Sequence, residues 1–145
     1  MRVFVPGTID DLRHYSSGHW EPDRGYAVTE RLLEISAYDD PDELAEQARD
    51  AAAEDSIVVL GSRLRLVVAI DVSRADVAPV PDAHPAAVTV SGRVMADSIA
   101  CFFLDEAGAE ADARAAAGGD EDALERLEER DLLWYDVSEL GQLPV

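Results

Sequence analysis

The run from His14 to Asp23 places two of the chain's three histidines beside Tyr15, Trp20, Glu21 and Asp23. Two imidazoles and a carboxylate are a ligand set for a divalent metal if a loop folds them together. Here, however, the spacing is not HExxH and no third ligand sits on a rigid element. The overlapping stretch Ser16–Gly25 is rich in turn formers (Ser16, Ser17, Gly18, Pro22, Gly25), so it reads as a surface loop anchored by Trp20. His14, His19, Trp20 and Glu21 are carried forward as binding candidates, with no metal expected. A second pair, Asp105 and Glu106, follows the apolar run ending at Leu104. Strand ends that lead into helices are common ligand sites in α/β folds, and the competing role is to cap the next helix. Asp105 and Glu106 are therefore candidates too. Joining them to the His14–Asp23 loop gives one alternative function, a small metal-dependent hydrolase.

Other chemistries fare worse. There is no GxSxG around any serine, and His84 lies in a proline-rich loop. Cys101 sits inside Ile99–Leu104 with no flanking cation to lower its pKa, and reads as a small buried hydrophobe. Pro6-Gly7-Thr8 has the parts of an anion site, but Asp10 and Asp11 occupy the turn that would meet the anion, and neither GxxxxGK[ST] nor GxGxxG is present. Thr8 with Asp11 reads instead as a capping box. No catalytic residue and no cofactor is expected.

Elements must hold these candidates, and composition limits which ones. The chain has 145 residues, 48% hydrophobic and 30% charged, which suits one core and one domain over residues 1–145. Its formal charge is −19, from 31 acids against 12 basic residues, all of them Arg. Such a field repels a phosphate backbone, so nucleic acid is not an expected partner. The acids are concentrated: Asp39–Asp55 carries −7 and Asp105–Asp131 carries −8. Both stretches interleave acids with Ala and Leu at helical spacing, the pattern of amphipathic helices with solvated faces. The short apolar N-terminus reads as neither a secretory signal nor a membrane span, so a cytoplasmic protein with no membrane contact is expected.

The N-terminal strand, Arg2–Val5, should break at Pro6-Gly7 before a short helix to about Ser16. Tyr26–Val28 should form a strand, with Thr29 capping a helix through Leu32, Leu33 and Ile35. Asp40-Pro41-Asp42-Glu43 is a strong helix start: an N-cap, Pro in the first turn, then acids at the positive end of the dipole. That helix should stop by Gly61, although residues 57–66 fit a hairpin equally well. Leu64–Val72, Val77–Val80, Ala87–Val94 and Ile99–Leu104 read as strands, and 105–131 as helix interrupted at Gly118-Gly119-Asp120. Trp134-Tyr135 reads as an aromatic anchor buried in the core, with an exposed docking strip as the alternative. The fold class expected is α+β, a mixed or mostly antiparallel sheet of about four to six strands packed against acidic amphipathic helices.

Met1–Pro6 with Thr8, Tyr26-Ala27-Val28-Thr29, Val67–Val72 and Leu132-Leu133-Trp134-Tyr135 together resemble a family of short actinobacterial proteins of unknown function. The resemblance spans most of the chain and implies a lineage without implying an activity. It also fits the Lys-free, Ala-rich composition, which looks like translation of a GC-rich genome. The leading expectation is a non-catalytic protein-binding or regulatory domain whose partner has a basic surface. The last alternative is a homodimer that buries an open face of the sheet.

Overall fold

In the computed structural model, residues 1–36 and 39–143 are described. Seven strands form one sheet: β1 (Arg2–Gly7), β2 (Arg24–Tyr26), β3 (Leu66–Asp71), β4 (Val77–Pro79), β5 (Ala87–Val90), β6 (Ile99–Leu104) and β7 (Leu133–Asp136). Their order across the sheet is β4-β5-β2-β1-β3-β6-β7, and every pairing is antiparallel. Among the described residues five α-helices accompany it: α1 (Leu12–Tyr15), α2 (Glu30–Ile35), α3 (Pro41–Val58), α4 (Glu110–Ala117) and α5 (Glu121–Glu128). The α+β class holds, and the strand count exceeds expectation because Leu133–Asp136 pairs with β6, from Cys101↔Asp136 to Leu104↔Leu133.

Alternation along the central strands sorts the core into two layers. Val3, Val5, Leu66, Val68, Ile70, Phe102 and Leu104 point to one side, where they meet Leu12, Tyr15, Trp20 and Ile57 together with Ala113, Ala116, Ala123 and Leu127 of α4 and α5. Phe4, Val67, Ala69 and Cys101 point to the other, under Leu32 of α2 and Leu44, Ala48, Ala52 and Ala53 of α3. Residues Leu66–Ile70 are buried on both faces, which is why β3 is apolar without alternation. Cys101 is the small buried hydrophobe expected, and burial pushes its thiol pKa above the ordinary value.

Several local expectations are met by capping chemistry. Thr29 Oγ1 accepts the Leu32 N–H at 3.1 Å, the Asp40 carboxylate accepts the Asp42 N–H at 2.9 Å with Pro41 next in line, and Asp120 accepts the Ala123 N–H at 3.1 Å. Three expectations are corrected. β1 continues through Pro6 to Gly7, paired with β3 as far as Gly7↔Leu66, because proline's fixed φ suits an extended strand and costs only one donor. Thr8 forms no capping box: its hydroxyl donates to the Asp11 carboxylate at 2.9 Å, and the helix it precedes is a single 3-10 turn running into α1. Trp134 is 58% exposed rather than buried, since β7 is an edge strand.

The ambiguity at residues 57–66 resolves without a hairpin: α3 ends at Val58, a turn and an irregular stretch follow, and Leu66 opens β3. Ile57 is fully buried, and Gly61 ends the run with φ +67, its N–H donating to the Ile57 carbonyl at 3.0 Å. Another glycine is fixed by contact: a Cβ on Gly25 would lie 2.6 Å from Val3 Cγ1 and 3.0 Å from the Phe4 carbonyl, so only glycine lets β2 approach β1 this closely.

Candidate functional site

Just before β3 stands Arg65, an arginine inside the apolar run Leu64-Arg65-Leu66. Its backbone pairs with Asp105, one residue past β6: the Asp105 N–H donates to the Arg65 carbonyl at 3.1 Å, and the Arg65 N–H donates to Asp105 Oδ2 at 2.9 Å. The side chains close the same knot. Arg65 Nε donates to Asp105 Oδ1 and Oδ2 at 3.1 and 3.0 Å, and Nη2 donates to Oδ1 at 2.7 Å and to the Arg130 carbonyl at 3.1 Å. The two side chains are 6% and 0% exposed. Geometry this complete is what a buried ion pair needs to offset its desolvation. Asp105 therefore binds Arg65 rather than capping the following helix, and its oxygens are occupied.

Glu106 is exposed and pairs with Arg130, which also approaches Asp112 at 3.9 Å. Arg65 and Arg130 both line a cleft of about 490 Å³ between α3 and α5. α3 contributes Gln47, Arg49, Asp50, Ala51 and Glu54; α5 contributes Leu124, Leu127 and Glu128; Asp131 and Leu132 follow toward β7, and His84 lies on the remaining side. Arg49 donates to Asp50 at 3.0 Å and lies 5.4 Å from the centre of the Phe103 ring, a cation–π distance. His84 Nδ1 accepts the Ala86 N–H at 3.0 Å, so the neutral imidazole carries its proton on Nε2 as a donor. His84 meets the Tyr26 ring edge-on, and the Tyr26 phenol donates to Asp55; burial is the main cause of the upward shift in its pKa.

The loop candidates lie elsewhere. Trp20 is buried, its ring 4.7 Å from that of Tyr15 and its carbonyl accepting the Val94 N–H at 2.8 Å. His14, His19 and Glu21 are exposed, and none of these four lines the cleft between α3 and α5. A second cleft, of about 540 Å³ beside α1, is lined by Arg13, Ser16 and Arg63, and it too leaves out His14, His19, Trp20 and Glu21. Asp105 and Glu106 line neither cleft themselves; they bear on the first only through their partners Arg65 and Arg130, and not on the loop. Among the described residues no group of three or more His, Cys, Asp or Glu side chains is placed to hold a metal. Because both imidazoles are solvated, a His14→Ala, His19→Ala double variant is expected to change unfolding free energy by no more than about 0.5 kcal/mol, as read by urea denaturation.

Sequence reasoning missed Arg49, Arg65, His84 and Arg130. One signal was available for Arg65: it is a charge flanked by Leu64 and Leu66 at the entry to an apolar strand, where burial requires a counter-charge. No helix among the described residues is long and apolar enough to cross a membrane. No curated protein and no solved structure matches the chain. A family model does match, over residues 1–143, and the chain belongs to that family, DUF6912, a family of unknown function.

Proposed function

We propose that the protein is a non-catalytic, cytoplasmic protein-binding domain whose partner presents a basic segment to the cleft between α3 and α5. One observation carries this reading. The two acidic stretches, far apart in the chain, wall the same cleft: Asp50 and Glu54 from the first, Glu128 and Asp131 from the second. Of these, Glu54, Glu128 and Asp131 make no side-chain hydrogen bond or ion pair among the described residues. The three arginines of the lining are each paired with a carboxylate, so the unpaired acids leave the concave surface net negative, a field that attracts cations and speeds the encounter with a basic partner. Leu132 lines the cleft beside these carboxylates and adds apolar contact area to it.

The test uses a short labelled peptide of alternating glycine and arginine, with binding followed by fluorescence anisotropy. In a Glu54→Gln, Glu128→Gln variant the affinity is expected to fall about tenfold, since each exposed pair contributes up to about 1 kcal/mol. A control with the same charge change at remote exposed positions, Glu30→Gln with Asp97→Asn, should stay within about twofold. Equal losses in the two variants would reduce the effect to net charge and remove the cleft from the explanation.

A further inference from the structure

We infer that the cleft between α3 and α5 recognises the free carboxylate at the end of a basic peptide, with Arg65 as the residue that reads it. This rests on the protein-binding reading above and specifies what part of the partner enters.

The argument begins with the donors of Arg65. Nε and both hydrogens of Nη2 are committed to Asp105 and to the Arg130 carbonyl. Nη1 has no hydrogen-bond partner among the described residues. It is not sealed off either, because no fully buried side-chain nitrogen or oxygen among them lacks a partner. A side chain only 6% exposed thus keeps one pair of donors open to solvent, and Arg65 lines this cleft. The fork is held rigid by Asp105, so an acceptor meeting Nη1 finds donors already oriented.

The surroundings decide which acceptor. Arg49, Arg65 and Arg130 are each ion-paired, to Asp50, to Asp105 and to Glu106, while Glu54, Glu128 and Asp131 remain unpaired around them. A phosphate dianion would meet net negative charge, whereas a single carboxylate needs little more than the open guanidinium edge. The unpaired carboxylates then require cations close to that carboxylate. A ligand with one carboxylate and adjacent guanidinium or ammonium groups meets both demands. At about 490 Å³ the cleft has the size of a small-ligand site, enough for the last residues of a peptide. Capture of a terminal carboxylate is an established mode of peptide recognition.

The experiment compares the glycine–arginine peptide as its free acid and as its C-terminal amide, on the intact protein, by fluorescence anisotropy. The acid is expected to bind about tenfold tighter than the amide. An Arg65→Lys variant, checked for folding by circular dichroism, should bind acid and amide equally while still binding both. Equal binding of the two peptides by the unaltered protein overturns the carboxylate inference and leaves the basic-segment reading standing; binding of neither overturns both. A folded Arg65→Lys variant that keeps the full preference for the acid also overturns the assignment. Displacement of the labelled acid by free arginine as effectively as by unlabelled peptide would identify the ligand as an amino acid rather than a peptide end.

Discussion

Replacing Asp105 by Ala is expected to destabilise the protein by about 3–5 kcal/mol, the range seen when one partner of a buried ion pair is removed. The Arg65 guanidinium would remain in place with only the Arg130 carbonyl to meet it, and the Arg65 N–H would lose its acceptor as well. A charge left this far from water without a counter-charge is the costly case, far more than the pair itself contributes. The contrast is Glu106→Ala. Glu106 pairs with Arg130 in the open, with side chains 58% and 32% exposed, and its loss should cost no more than about 1 kcal/mol. Urea denaturation of both variants reads the difference as a shift in midpoint at constant slope. Similar midpoints for the two would mean that the Arg65–Asp105 pair does not hold β3 to β6, and with it would go the rigid fork on which carboxylate reading depends.

Ser56→Ala ranks next. Ser56 is fully buried in the last turns of α3, where its hydroxyl donates to the Gly7 carbonyl at 2.7 Å and accepts the Leu66 N–H at 3.0 Å. One oxygen atom thus ties the end of β1 and the start of β3 to the helix lying over them. Alanine fits the same volume, so no cavity forms; the whole cost is that two buried backbone groups lose their partner, at about 1–3 kcal/mol each. Thermal unfolding should show the loss, and hydrogen exchange should show faster exchange at the Leu66 amide in particular. Ser17→Ala is the control, because the Ser17 hydroxyl bonds the His14 carbonyl in the open and its removal should stay within about 0.5 kcal/mol. A Ser56→Ala protein as stable as Ser17→Ala, with the Leu66 amide unchanged, would show that water replaces the hydroxyl.

The two stabilising contacts differ in how far the sequence discloses them. Asp105 stood out because it follows an apolar strand, yet the local role suggested for it, capping, was wrong; its partner Arg65 lies 40 residues away. Ser56 gave no signal, since a serine within an acidic helix reads as solvated and its partner Gly7 is 49 residues distant. By contrast, Asp40-Pro41 capped α3 as expected and Ile99–Leu104 formed β6 with the bounds read from its apolar run. Caps and strand cores are set by residues within a few positions of one another, which a linear reading can see.

The same division governs the candidate site. The sequence by itself determined the net charge of −19, its concentration in two helical stretches, the α+β class and the turn-rich loop anchored by a buried Trp20, because each follows from composition or from contacts between near neighbours. Only the tertiary structure decided that the two acidic stretches face each other across one cleft, that Arg65, held by Asp105, lines it, and that Trp134 lies outside the core on the edge strand. Those outcomes depend on strand order and on which face of each helix meets the sheet. Both are fixed by the collective burial of Leu66–Ile70 between two layers, and no local pattern of residues encodes them.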